Sequence, residues 1–222
     1  MNDVGVLVPT IRAGSVQRVV NDLFATVDAA HVDLVFVCEM DDQVTRLAVA
    51  DQMTADASVK LILNENARNY AGAINTAIAR TWYPYLFIGS DDLHFHPGWL
   101  PPLLEAAHEF GMVGTNDLHN PDVVAGRHAT HYLVRRDYAL TGCVDAPGKL
   151  LHEGYTHNYT DTEAVQTAMA RGQYAHRADS IVEHLHPAWG LAQVDEGYRK
   201  SLTTAGDDAG RYAERMPLWK SL

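Results

Sequence analysis

The segment Tyr85-Leu86-Phe87-Ile88-Gly89-Ser90-Asp91-Asp92 places a short apolar run directly before two adjacent carboxylates. The apolar run is typical of a buried strand. Three earlier runs, VGVLV, VDLVFVC and VKLIL, have the same character, and each is followed by a stretch with helical spacing of apolar residues. This alternation predicts an α/β fold with a mostly parallel central sheet flanked by helices. The predicted strands cover residues 4–8, 32–38, 59–63 and 85–88, and the predicted helices 15–30, about 44–53 and 71–79.

Polar residues follow each of these strands. In open α/β sheets ligands bind beyond the carboxyl ends of the strands, so we expect these residues to converge at one edge. Hard divalent cations take oxygen ligands, and Mg²⁺ commonly binds one or two carboxylates plus substrate phosphates. Asp91 and Asp92 therefore predict a metal site that stabilises a departing diphosphate. The alternative is a loop whose aspartates only cap a turn.

The second half of the chain is less regular. Eleven of the twelve histidines lie between His94 and His186, which marks a real change in composition. The pattern predicts strands over 130–135 and 180–184, a helix over 161–171, and a helical tail with glycine breaks over 190–222. We expect one catalytic domain over 1–189, with a nucleotide-binding half (1–92) and an acceptor half (93–189).

Composition and charge exclude several classes of protein. The chain has 222 residues, of which 47% are hydrophobic and 20% charged, as in an ordinary globular domain. The formal charge of −11 disfavours non-specific binding to nucleic acid or anionic membranes. A local basic groove stays open as an alternative, with Arg127, Arg135, Arg136 and Lys149 as candidates. Only two cysteines are present, and neither a signal peptide nor a membrane-spanning run is evident, so we expect a cytoplasmic protein without membrane contact.

Four short motifs occur in order along the chain. They are Pro9-Thr10, an acidic residue after the second strand, Asn64-x-Asn66-x-x-Asn69-x-x-Gly72-x-x-Asn75, and Ser90-Asp91-Asp92 followed by Phe95-x-Pro97-Gly98-Trp99-Leu100. Over roughly residues 4–187 this order resembles glycosyltransferases of the GT-A fold, most closely family 2. The resemblance implies a hexosyltransferase-like enzyme that moves a sugar from a nucleoside-diphosphate sugar to an acceptor hydroxyl. It also implies a divalent cation, Mn²⁺ or Mg²⁺, at the diphosphate.

The resemblance further implies roles for individual residues of the donor site. Ser90 stands where the family's Asp-x-Asp motif has its first aspartate, so Asp92 is the expected metal ligand and Asp91 is expected to contact sugar or ribose. The remaining implied donor contacts are Pro9, Thr10 and Arg12 at the base and diphosphate, Glu39 and Asp41 at the base or ribose, and Arg68 and Asn69 at the nucleotide-sugar.

Two histidines near the end of the matched region are candidate metal ligands. His184 and His186 stand at positions i and i+2 after an apolar strand, so they are expected to point the same way. In the family a late histidine can complete the metal site, and imidazole suits Mn²⁺ better than Mg²⁺. We favour His184 slightly over His186. The alternative is a pair of surface or hydrogen-bonded histidines.

The general base is expected at the start of a late helix, in Tyr159-Thr160-Asp161-Thr162-Glu163. An acceptor hydroxyl has to lose its proton as it attacks the anomeric carbon. The family resemblance implies that a carboxylate here takes it, in an inverting transfer; Asp161 is the first candidate and Glu163 the second. The alternative is helix capping, since acidic residues in a first turn are favoured by the helix dipole.

Two rival functions remain open. A sugar-phosphate nucleotidyltransferase would use a similar front half, but its usual Gly-rich basic loop is absent between Pro9 and Ser15. A non-catalytic nucleotide- or sugar-binding module is the second rival. For the transferase, four classes of acceptor stay open: a small molecule, a glycan, a protein or a modified DNA base, the last as in bacteriophage enzymes of this kind. The sequence does not indicate an oligomeric state.

Overall fold

A computed structural model describes residues 2–66 and 68–222. Strands and helices alternate through the front half, as the sequence predicts. These elements are β1 (Val4–Pro9), α1 (Val16–Phe24), β2 (Val32–Glu39), α2 (Gln43–Ala55), β3 (Val59–Asn64), α3 (Tyr70–Arg80) and β4 (Tyr85–Ile88). The second half contains β5 (Leu93–Phe95), α4 (Leu100–Ala107), β6 (Met112–Asn116), α5 (Pro121–Val124), β7 (Tyr132–Arg135), α6 (Arg136–Thr141), α7 (Thr160–Ala170), β8 (Tyr174–His184) and α8 (Glu196–Lys220).

Within the described ranges the strands form one eight-stranded sheet in the order β3-β2-β1-β4-β7-β6-β8-β5. The first four strands in this order are mutually parallel. β7 runs antiparallel to both β4 and β6, β8 runs parallel to β6, and β5 closes the edge antiparallel to β8. The predicted α/β fold is confirmed, and the sheet is mixed rather than purely parallel. Its parallel part brings the carboxyl ends of β1, β2, β3 and β4 to one edge.

Successive side chains of a strand point to opposite faces of the sheet, and helices pack on both faces. One face carries Phe87, Phe95 and Trp99, whose rings pack together beneath α1 and α4. The other face packs against α3 and α7. Gly5 lies on that second face, where an added Cβ would come 2.3 Å from the ring of Tyr83. A side chain at position 5 would therefore push this aromatic ring out of its place.

Five elements were not predicted from the sequence, namely β5, α4, β6, α5 and α6, and three predicted elements differ in extent. α1 ends at Phe24, because an Asx turn in which Asp28 accepts from the backbone N–H of Ala30 (2.8 Å) competes with helix. β8 begins at Tyr174, earlier than predicted, since pairing with β6 supplies hydrogen bonds to a segment without apolar alternation. α8 continues through three glycines that were expected to break it. None of the helices in the described ranges has both the length and the apolar character of a membrane span.

Candidate active site

Asp91 follows β4, and its carboxylate is hydrogen-bonded and ion-paired with residues of the segment after β1. Its side chain is buried, and its carboxylate accepts hydrogen bonds from Thr10 Oγ1 (2.5 Å) and Ser15 Oγ (3.1 Å) and pairs with Arg12. Burial raises the pKa of Asp91, against the opposing effect of Arg12. The structure thus brings Thr10, Arg12 and Asp91 together at the carboxyl ends of β1 and β4.

Asp92 points into a different set of partners. One carboxylate oxygen accepts from the Ser90 hydroxyl and the other from the Tyr198 hydroxyl. The same Tyr198-bound oxygen lies 3.5 Å from Nε2 of His184. Burial opposes ionisation of this group, but the contacts with His184, Ser90 and Tyr198 outweigh it and hold the pKa of Asp92 well below its usual range. Asp92 is therefore a largely buried carboxylate held in its charged form.

A row of imidazoles borders Asp92. The ring of His184 lies 4.9 Å from that of His131 and 5.0 Å from that of His186. His131 is buried, with Nε2 3.0 Å from Ser90 Oγ, and burial together with His184 lowers its pKa to about 3. His186 turns its Nδ1 to the backbone N–H of Ala188 (3.1 Å). Of the two predicted histidines, His184 is therefore the one placed against Asp92.

The donor groups beside Asp92 fit a transition-metal cation. A carboxylate oxygen and an imidazole nitrogen lie 3.5 Å apart in a largely buried position, and neither is committed to a cationic side chain. Carboxylate suits Mg²⁺ and Mn²⁺, whereas imidazole shifts the preference toward Mn²⁺. Asp92 and His184 would hold such an ion, while Asp91 is already taken up by Arg12 and Thr10.

Asp161 lies in the first turn of α7 and is paired with a histidine. Its Oδ2 lies 3.2 Å from His128 Nε2, and its Oδ1 accepts from the backbone N–H of Thr162 (2.8 Å). Burial opposes ionisation, but the contacts with His128, with the backbone N–H of Thr162 and with His131 together outweigh it and lower the pKa of Asp161. The charges of both Asp161 and Asp92 act on the phenol of Tyr70 and on His157, so the two carboxylates border the same region.

Glu163 lies elsewhere in α7. Its buried carboxylate accepts from Tyr155 (2.7 Å) and from two nitrogens of Arg215 (2.8 and 2.7 Å). Arg215 in turn forms a bidentate pair with Asp145. Every oxygen of Glu163 is thus engaged in joining α7 to α8, which favours Asp161 as the base. The N-cap of α7 is Tyr159, in the left-handed region at φ 65°, without a side-chain cap bond.

The residues predicted for the base or ribose, Glu39 and Asp41, lie at the end of β2 with Arg68, which was predicted for the nucleotide-sugar. Arg68 pairs with both oxygens of Asp41 (2.8 and 3.0 Å) and lies 3.6 Å from Glu39. Asn69 caps α3 by accepting from the N–H of Gly72 (2.8 Å), and its amide donates to two backbone carbonyls of the 153–155 loop. Pro9 ends β1 and pairs with Val37 of β2. The structure therefore uses Asn69 to hold the loops together.

Sequence reasoning missed the contribution of α8. Asp195 accepts from Arg12 Nε (2.7 Å), and Tyr198 donates to Asp92. Asp208 accepts from three consecutive backbone N–H groups of residues 156–158, in the loop that precedes α7. The N-cap pattern at Asp195 marks the start of a helix, but nothing local in the sequence connects it to positions 12 and 92.

The family profile described as Glycosyl transferase family 2 matches residues 6–174. Since the match covers well over half of the sequence, the chain belongs to glycosyltransferase family 2. No curated protein matches it.

Solved structures of glycosyltransferases share the fold. The mannosyltransferase PcManGT from Pyrobaculum calidifontis, in complex with GDP-Man and Mn²⁺, superposes with a TM-score of 0.65 at 15% identity, over 83% of this chain and 57% of that one. TarS from S. aureus gives 0.59 at 13% identity, over 82% and 59%. Glucosyl-3-phosphoglycerate synthase from Mycobacterium tuberculosis, with Mn²⁺, UDP-Glc and phosphoglyceric acid, gives 0.59 at 15% identity, over 83% and 72%. The chain thus spans less than two thirds of the first two proteins, and these likenesses concern the GT-A fold.

Proposed function

We propose that this chain transfers a sugar, most simply a hexose, from a nucleoside-diphosphate sugar to an acceptor hydroxyl, with inversion at the anomeric carbon. The observation that carries the proposal is the pair of carboxylates kept ionised in one region: Asp92 beside His184, and Asp161 beside His128. Membership of family 2 and the metal and nucleotide-sugar complexes of the fold neighbours support it.

The donor would lie along the carboxyl ends of the parallel strands. Glu39, Asp41 and Arg68 would border the base and ribose, and Arg12 would face the diphosphate. Asp92 and His184 would hold a divalent cation, Mn²⁺ in preference to Mg²⁺. When bound, that cation supplies positive charge to the departing diphosphate.

Asp161 would act from the acceptor side. Its carboxylate takes the proton from the acceptor hydroxyl as that oxygen forms its bond to the anomeric carbon. The bond between that carbon and the diphosphate oxygen breaks, and the electron pair leaves with the nucleoside diphosphate. Asp161 then returns its proton to solvent. The contact with His128 fixes the carboxylate for this role before substrate arrives.

The test is release of nucleoside diphosphate from a panel of nucleotide-sugars with Mn²⁺ and mixed acceptors. Asp161→Asn should lower kcat about 100-fold or more, the usual worth of a general base, while donor affinity stays near wild type. Asp92→Asn should abolish the metal dependence of donor binding. The exposed Asp51→Asn serves as the matched control.

Other outcomes of that assay would redirect the assignment. Loss of transfer in Glu163→Gln, with Asp161→Asn active, would move the base to Glu163. Release of pyrophosphate from a nucleoside triphosphate and a sugar phosphate would indicate the rival nucleotidyltransferase. Tight binding of the donor with no turnover, whichever acceptor is added, would indicate the non-catalytic binding module.

We propose the class of acceptor from the net charge of the chain and from the partners of its basic residues. The four basic residues considered for a nucleic-acid groove already have partners: Arg127 with Asp122, Arg135 with Asp137, Lys149 with Glu153, and Arg136 with backbone carbonyls. With a net charge of −11 this disfavours a modified DNA base and favours a small molecule, glycan or protein.

We also propose that residues 1–189 act as one catalytic domain, with a donor half over 1–92 and an acceptor half over 93–189, and with α8 in the tail contacting both. The two cysteines, Cys38 and Cys143, are free and buried, in keeping with a reducing, cytoplasmic compartment.

A further inference from the structure

A second group of metal-binding side chains lies on the other face of β5 and β8. β5 and β8 are antiparallel, with His94 opposite Glu183 in the register. Leu93 and His184 form the neighbouring pair, in which Leu93 packs in the core and His184 lies against Asp92, so His94 and Glu183 point to the opposite face. His96 continues the outward row, and one ligand atom from each of His94, His96 and Glu183 lies within 4.8 Å of the others.

The imidazole of His94 is already oriented as a ligand would be. Its Nδ1 lies 2.5 Å from an oxygen of Asp22 on α1, which leaves Nε2 free. The other oxygen of Asp22 accepts from the backbone N–H of Phe95 (2.7 Å), so the carboxylate is itself fixed. Metal-ligating histidines characteristically donate their second ring N–H to a carboxylate in this manner.

Glu183 is oriented by two further imidazoles. Its Oε1 lies 2.8 Å from Nε2 of His119, and its Oε2 lies 3.4 Å from Nε2 of His96. The side chain of Glu183 is only 18% exposed, and contact with His119 lowers its pKa. His119 therefore engages one oxygen and leaves the other directed at the histidine pair.

Two carboxylates of the cluster have no lysine or arginine as ion-pair partner within the described ranges. Asp22 and Glu183 bring two negative charges, and their ion pairs in this part of the structure are with imidazoles. A divalent ion bound by neutral histidines would balance the two carboxylates. Two imidazoles and one carboxylate form a donor set that suits Zn²⁺ and leaves a coordination position open.

We propose that His94, His96 and Glu183 bind a divalent transition metal, Zn²⁺ by preference, at a site separate from Asp92 and His184. Asp22 and His119 position the ligands. The bound ion ties α1, β5 and β8 together at the edge of the sheet.

The test uses the full chain carrying Asp92→Asn, stripped with chelator, so that the candidate donor site does not contribute. Titration with ZnCl₂ in a calorimeter should give one equivalent bound, and Co²⁺ in its place should develop a visible absorption band. Adding His96→Ala should remove both signals. Adding Asp22→Asn should weaken Zn²⁺ binding about 10- to 100-fold, the range typical of an outer carboxylate. The exposed His108→Ala is the control that leaves binding intact.

Two results would overturn the site: no stoichiometric Zn²⁺ binding by the Asp92→Asn protein, or binding that His96→Ala and Glu183→Gln both leave unchanged. Glu183→Gln retains the shape of the side chain and is the second test if His96→Ala does not fold. Circular dichroism of each metal-free variant establishes that the fold persists.

Discussion

A single contact, His128 with Asp161, connects the chemistry of the candidate site to the stability of the fold. The charged carboxylate raises the pKa of His128 above its ordinary value of 6.5 against the effect of burial, and His128 lowers that of Asp161 below 3.8. A raised histidine pKa contributes stability that is present at low pH and is lost as the pH rises through the folded-state value. A lowered carboxyl pKa contributes stability that is lost as the pH falls through its folded-state value. The pair therefore stabilises the fold between these two limits.

We expect His128→Gln to reduce the free energy of unfolding by roughly 1.5–3 kcal/mol at about pH 5, as for a hydrogen bond to a charged group. The difference from wild type should shrink as the pH rises through and beyond the raised pKa of His128. Urea denaturation at several pH values measures this difference in the free energy of unfolding, and His31→Gln, at an exposed histidine, is the control. A difference that does not vary with pH would contradict the ion pair.

At the scale of elements, α7 is held against α8 by one buried ion pair. Glu163 and Arg215 expose only 4% and 11% of their side chains, and both are fully engaged. Breaking a buried pair on one side leaves an uncompensated charge, which is costlier than removing both partners.

Arg215→Met should lower the free energy of unfolding by about 3–5 kcal/mol, because Glu163 would remain buried and charged without its partner. The double variant Glu163→Gln/Arg215→Met should recover part of this loss. Thermal and urea unfolding of the two proteins give the comparison. If the double variant were no more stable than Arg215→Met, the loss would come from packing of the arginine stem instead.

At the scale of the whole molecule, α8 acts on the donor site from outside the region that the family profile matches. Asp195 pairs with Arg12, the cation proposed to face the diphosphate. Its negative charge therefore competes with the donor for the guanidinium. Asp195 also caps α8 by accepting from the N–H of Tyr198 (2.9 Å).

Asp195→Asn should tighten binding of a nucleoside diphosphate with Mn²⁺ about three- to tenfold, as expected for one charge removed near the ligand at intermediate dielectric. Asparagine caps helices as well as aspartate does, so α8 should persist. Calorimetry compares this variant with Glu196→Gln, which removes an exposed charge in the same turn. Unchanged affinity in both variants would place the diphosphate away from Arg12.

The sequence by itself determined the front half of this protein. Buried strands of four to eight residues alternate with amphipathic helices, and periodicity is a local property that can be counted along the chain. The polar residues at the strand ends follow from that pattern, whereas the roles of Asp92, Asp161 and His184 rest on the family resemblance and stay predictions.

Only the tertiary structure decided how these side chains are used. Asp91 pairs with Arg12, Glu163 pairs with Arg215, and the Asn69 amide donates to the backbone carbonyls of Glu153 and Tyr155, because each meets a partner far away in sequence. The start of β8 and the continuity of α8 likewise depend on contacts with other elements, which the intrinsic propensity of a segment does not take into account. The local pattern of apolar and polar residues indicates which segments are helical or buried, whereas long-range packing determines which partner each side chain meets.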